Sequence, residues 1–225
     1  MREHFEIEVA NLRRRLALLA QNTENAVRSA MTAIETQDLE IAKKIIDNDD
    51  LIDKEEVVIE EECLKILALY QPVAGDLRYI ITILKIDNEL ERIADLAVNI
   101  AKNTKNFSEM PKSLAKRVEF SESINLVLTM LKNSIDAFMC RDVALAESVI
   151  ALDETLDELH RSNRKMTQKL LQKHSRYALY YVDVLFVSRH LERIGDSCTN
   201  ICEDVIYLEK GKIVRHNSNV ESVKA

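Results

Sequence analysis

A chain of 225 residues with only three glycines and two prolines cannot turn the many short strands of a sheet protein, and 47% hydrophobic with 31% charged residues favours amphipathic helices over disorder. Lys plus Arg at 31 against Asp plus Glu at 38 leaves a net charge of −7, which argues against nucleic acid or anionic lipid and for a cation or a locally basic partner. No run of about 18 apolar residues marks a membrane span, and the opening MREHFEIEVANLRRRL lacks the apolar stretch of a signal peptide, so a cytoplasmic protein without direct membrane insertion is expected.

Apolar residues recur at spacings of three and four, the period of a helix. A first helix is predicted over 3–35, with Leu12, Leu16 and Leu19 on its inner stripe. Arg13, Arg14 and Arg15 beside them read as a solvated face with snorkelling stems. Asp38 stands where an N-cap belongs, ahead of a second helix over 39–69. Pro72 opens a third over 73–106, and Pro111 a fourth over 111–139 whose stripe is Val127, Met130, Leu131, Ser134, Ile135 and Phe138. Asp142 caps a fifth over 143–172, and Gly211 closes a sixth over 176–210. Connections this short force antiparallel neighbours. The expected architecture is all-α: two tandem antiparallel three-helix bundles, 1–108 and 109–212, then a flexible tail, 213–225, that has lost the helical period. Cys63, Cys140, Cys198 and Cys202 form no CxxC pair and read as reduced, buried thiols.

The halves repeat one another. At an offset of 104, DLEIAKKIIDNDDLID from Asp38 aligns with DVALAESVIALDETLD from Asp142. At an offset of 101, LERIADLAVNI from Leu90 aligns with LERIGDSCTNI from Leu191, seven of eleven positions being identical. The change of offset places a short deletion beside the QPVAGD connection, where a loop absorbs it. Gly195 replaces Ala94 within the repeat. A glycine inside a helix costs about 1 kcal/mol relative to alanine, so a close approach between helices is expected there.

The repeat duplicates four acidic pairs at i, i+4: Asp49/Asp53 and Glu91/Asp95, then Asp153/Asp157 and Glu192/Asp196. Carboxylates so spaced repel one another along a helix face and cost a few tenths of a kcal/mol. Glu91 shares its row with Leu84, Ala94 and Val98, and Asp49 and Asp53 share theirs with Ala42, Ile46 and Val57, which are inward or boundary positions. Desolvated carboxylates need a partner, and two facing pairs offer oxygens to a hard cation. Solvated faces, or ion pairs to Arg92, Arg193 and Lys54, are the plainer reading. Retention in both copies and interruption of apolar rows favour metal. Oxygen ligands suit iron, manganese, magnesium or calcium and argue against structural zinc.

The run QPVAGDLRY, then LERIADLAVNIA, then LERIGDSCTNI resembles the PhoU family over residues 3 to 210. That resemblance implies two related bundles, each able to hold a multinuclear metal cluster, usually of iron. Asp49, Asp53, Glu91 and Asp95 would serve one cluster, and Asp153, Asp157, Glu192 and Asp196 the other, with Asn99 and Asn200 as supporting donors one turn on. It also implies a negative regulator of phosphate uptake, placed between the ATPase subunit of the phosphate ABC transporter and the sensor histidine kinase of a two-component system. Neither nucleic acid binding nor catalysis is expected, and a homodimer is left open. Two alternatives stand beside this reading. One is a metal-free helical adaptor. The other is a carboxylate-bridged di-iron enzyme, which would need Glu-x-x-His from two helices, whereas the nearest approach is the single segment from Asp157 to His160.

Overall fold

The computed structural model describes residues 2–109 and 120–212. Among them are six α-helices: α1 Arg2–Thr36, α2 Leu39–Tyr70, α3 Ala74–Ser108, α4 Ser121–Cys140, α5 Val143–Lys173 and α6 Ala178–Lys210. A 3₁₀ turn, Ser175–Tyr177, joins α5 to α6. The chain is all-α, and five of the expected spans agree to within two residues. The start of the fourth helix at Pro111 and the tail 213–225 lie outside the described residues.

Local chemistry accounts for the helix ends. The Asp38 carboxylate accepts from the N–H groups of Glu40 at 2.9 Å and Ile41 at 3.1 Å, and Asp142 accepts from Leu145 at 2.9 Å. Each satisfies backbone donors that the first turn leaves open. Gly211 takes a left-handed φ of 64° and donates its N–H to the Tyr207 carbonyl, closing α6. Pro72 stands two residues ahead of α3 rather than within it. Gln71 stops α2 with a left-handed φ of 46°, so the chain has already left the helix when it reaches the proline.

Side-chain pairs fix the antiparallel arrangement. Between α1 and α2, Arg15 reaches Glu55 and Glu62, while Glu8 lies beside Lys65. Between α5 and α6, Lys210 meets Glu147 at 2.7 Å. The halves join chiefly along α3 and α6, which also run antiparallel. Lys85 bridges to the buried Asp204 at 2.9 Å, and Asn200 donates to Glu89 at 3.0 Å. Aromatic contacts hold the ends of this seam, Tyr79 stacking on Phe138 and Phe107 meeting Tyr180 edge to face. The buried apolar residues of both halves therefore form one continuous cluster.

Two expectations need correction. Arg13 and Arg15 are not merely solvated: Arg13 donates to the Met139 carbonyl at 2.6 Å and ties α1 to the end of α4, while Arg15 ties α1 to α2. The cause is the neighbouring helices, which offer acceptors to a face that would be wet on an isolated helix. Cys63, Cys198 and Cys202 are buried as expected, but Cys140 is exposed, because it occupies the last turn of α4.

Gly195 lies where α6 crosses α5. A Cβ at this position would collide with Leu156 Cδ2 and stand 3.5 Å from Asp153 Oδ1. The close approach expected from the sequence is present, and it sits directly against one of the candidate ligands.

Candidate functional site

Each acidic set draws on two adjacent helices of one half. Asp49 and Asp53 lie on α2 beside Glu91 and Asp95 on α3. Asp153 and Asp157 lie on α5 beside Glu192 and Asp196 on α6. The i, i+4 spacing puts each pair on one face, and antiparallel packing turns the two faces toward one another. Asp53, Asp95 and Asp196 are exposed, and the other five are half-buried, so both sets form boundary strips at the edge of the core.

The charges interact within each set. Burial raises the Asp49 carboxyl above its usual range, and repulsion from Asp53 and from Asp95 across the helix pair adds to it. Burial likewise raises Glu91, followed by Asp95, Glu56, Asp53 and Asp49. In the other half burial lifts Asp153 to about 6, with Asp196, Asp157 and Glu192 contributing after it. Glu192 and Asp196 are raised first by burial and then by Asp196 and Asp157 respectively. A bound cation would reverse all these shifts.

The two sets differ in their basic neighbours. Arg189, Arg193 and, from α3, Arg92 oppose the rise at Asp196. Among the described residues the one ion pair to any of the eight acids joins Arg189 to Glu192 at 3.4 Å, and Glu192 Oε2 still lacks a hydrogen-bond partner. Lys54 pairs with none of them, and only Lys102 eases Asp49. The donor set, all carboxylate oxygen with a surplus of like charge, fits a hard cation in chemistry. Among the described residues, however, no three His, Cys, Asp or Glu side chains are placed to hold a metal ion, so the acids share a field without converging to ligand distance.

The two asparagines are placed differently from the acids. Asn200 spends its amide on Glu89 across the seam between the halves. The Asn99 carbonyl accepts from Asn103 at 2.8 Å. Among the described residues His160 belongs to no group able to hold a metal ion, and its Nδ1 lies 2.9 Å from Ser188 Oγ.

Sequence reasoning passed over one acid in this region. Asp87 on α3 is completely buried, one turn before Glu91, and its carboxyl is pushed up to about 8 by burial and then by Glu56 and Glu60. Its signal was an aspartate in the apolar row of Ile83, Ile86 and Leu90. Comparison of the repeats hid it, because the matching position is Ser188.

A family model described as the PhoU domain matches residues 16–104 and again residues 120–205. The PhoU homolog 1 of Thermotoga maritima, a phosphate-specific transport system accessory protein, is 34% identical, covering 93% of this chain and 90% of its own length. The PhoU of Escherichia coli K12, likewise named an accessory protein of that system, is 32% identical over 94% of this chain and 88% of its own. The crystal structure of PhoU from Pseudomonas aeruginosa superposes with a TM-score of 0.89 at 34% identity, covering 92% of this chain and all 100% of that one. The Thermotoga and Escherichia relatives are named as accessory proteins and not as enzymes.

Proposed function

The chain belongs to the PhoU family of phosphate-transport accessory proteins, and from that premise we propose that it is a metal-binding negative regulator of phosphate uptake and phosphate-starvation signalling. Each bundle, 1–108 and 109–212, is taken as one metal-bearing unit. Asp49, Asp53, Glu91 and Asp95 would hold one multinuclear cluster and Asp153, Asp157, Glu192 and Asp196 the other, with iron the first candidate and manganese, magnesium or calcium in reserve. The observation that carries this reading is that both copies keep facing carboxylate pairs whose charges raise one another.

A bound cluster would supply positive charge and oxygen crosslinks between two helices of each bundle. The chain's own residues do the rest. The pairs hold the charge at the protein boundary, Leu156 and Gly195 set the distance between α5 and α6 at Asp153, and the α3–α6 seam keeps the two units in register. A rigid double surface of this kind suits docking on the transporter's ATPase subunit and on the sensor kinase in the cytoplasm, keeping starvation signalling off when phosphate is plentiful.

Metal content by plasma mass spectrometry on untagged protein is the first test, comparing wild type with Glu91→Ala/Asp95→Ala and Glu192→Ala/Asp196→Ala. Loss of about half the metal in each variant supports two sites. The regulatory part is abandoned if the protein binds neither ATPase subunit nor kinase, loaded or stripped. A metal-free adaptor is the second reading, favoured by the lack of converged ligands among the described residues. It predicts no metal after reconstitution and partner binding that chelators leave unchanged.

A further inference from the structure

A cleft of about 570 Å³ opens between α1 and α2 over the buried Ala94 and Val98 of α3. Its volume lies within the roughly 300–1,000 Å³ of small-molecule sites. Ile45 and Ile52 continue the apolar floor, and the walls carry three amides, Asn22 and Asn25 from α1 and Asn48 from α2. Arg28 and Lys44 also line it, and Asp49 is the only one of the eight paired acids that does. The antiparallel register set by Glu8 with Lys65 and by Arg15 with Glu55 and Glu62 brings Asn25 level with Asn48 and Arg28 level with Lys44. Among the described residues the three amide side chains make no hydrogen bond and Lys44 has no ion-pair partner, while Arg28 shares one arm with Glu24 at 2.8 Å.

The second bundle fills the same place. At the matching offset of 104, Asn22, Ala26 and Asn48 become Leu126, Met130 and Leu152. Met130 is completely buried, and Leu126 and Leu152 pack on the core. Where Ala94 floors the first cleft, Gly195 lets α5 close in, with Leu156 against it and Met130 Cε 3.6 Å from where a Cβ would stand. One copy of the frame is therefore packed shut with apolar side chains, and the other stays open behind amides and cations. Unfilled space between close-packed helices forgoes contacts and costs stability, so the open copy is the one that calls for an occupant.

We propose that this cleft is an adenine nucleotide site of the first bundle. Each part of the lining meets one part of that ligand. An asparagine amide offers a donor and an acceptor side by side, the complement of an adenine edge, and Ile45, Ile52 and Val98 give the base an apolar bed. Lys44 and Arg28, one helical turn from Asn48 and Asn25, meet the phosphate as cations. The site stands apart from the metal reading, since it needs no metal ion and no acidic pair.

The test is calorimetric titration of the full chain, stripped of metal by chelator, with AMP, and in parallel with adenosine, inorganic phosphate and GMP. Wild type is expected to bind one AMP per chain, and the other three at least about tenfold more weakly. Lys44→Ala alters an exposed side chain, so folding is not threatened; it should weaken AMP by about tenfold and leave adenosine unchanged. Ala26→Met copies the residue of the second bundle and should abolish AMP binding, with Tm recorded to show that the variant is folded. No AMP bound by wild type, GMP bound as tightly as AMP, or unchanged AMP affinity in either variant overturns the proposal. Glu91→Ala/Asp95→Ala should keep wild-type AMP affinity whatever becomes of its metal. Metal lost with AMP retained in that variant supports a separate site, whereas AMP lost there assigns the nucleotide to the acidic pairs and sinks the cleft.

Discussion

The two bundles keep the same acidic pairs and surround them with opposite chemistry. In the first, the half-buried Glu56 and the exposed Glu60 follow the pair on α2, and the charges that act most strongly on the buried Asp87 of α3 are all acidic. In the second, the continuation is His160 bonded to Ser188, while Arg189, Arg193 and Arg92 surround the outer acids. Duplication has thus retained a strip of carboxylates while the means of tolerating it have diverged. One bundle accumulates uncompensated charge, and the other disperses it.

The largest expected consequence lies at Asp87. Its folded carboxyl titrates near 8 against an ordinary 3.8. Below about pH 4 the carboxyl is protonated in both folded and unfolded chains and costs nothing on this account. As pH rises toward 8 the unfolded chain gains ionisation that the folded chain is denied, so metal-free protein loses stability across that window. At 1.36 kcal/mol per unit, the full effect is of the order of 5 kcal/mol. Asp87→Asn should flatten this slope and stabilise the stripped protein at pH 8, as read by urea unfolding from pH 5 to 8. Parallel slopes for variant and wild type would show that Asp87 is already satisfied.

Next in size is the helix crossing that the second bundle alone tightens with a glycine. Leu156→Ala removes a side chain that is 2% exposed and should cost about 3 kcal/mol. Gly195→Ala, which drives a Cβ into Leu156, should cost about 1 kcal/mol once the gain in helix propensity is set against overpacking. Together they should be less harmful than their sum, because the new methyl enters the space that Leu156 vacates. Strict additivity in denaturant melts would mean that the two residues do not share that space.

Much of this contrast was legible in the sequence, and what was not has a common cause. Asp38, Asp142 and Gly211 announce helix ends through groups that act within one turn, and Gly195 announces a close approach because a glycine there has no local use. Arg13 and Arg15 were misread because their acceptors belong to other helices, Met139 on α4 and Glu55 and Glu62 on α2. Asp87 was missed for a different reason. Matching the repeats finds what both halves keep, and Asp87 is what one half has alone. Asn200 illustrates the same limit, since its amide serves the seam to Glu89 and that seam has no signature in either copy.

A smaller effect is expected at Asp153, whose carboxyl is raised to about 6. It is half-buried, so solvent screening discounts the shift, and Asp153→Asn should stabilise the stripped protein by only about 1 kcal/mol at pH 8, in a chemical melt.

The smallest effect is the most diagnostic, because it should carry the opposite sign. Ser188 is 3% exposed and holds His160, whose imidazole is lowered from its ordinary value by burial first and by Arg189 second. Ser188→Ala strands that nitrogen and should destabilise the stripped protein by about 1 kcal/mol. Neutralising the equivalent Asp87 should stabilise it. If both substitutions shift the unfolding midpoint in the same direction, the positions are tolerated by the same means and the contrast between the bundles fails. Opposite shifts would locate that contrast in one matched position of the two bundles, a hydroxyl satisfied by an imidazole in one against a buried carboxyl without a hydrogen-bond partner in the other.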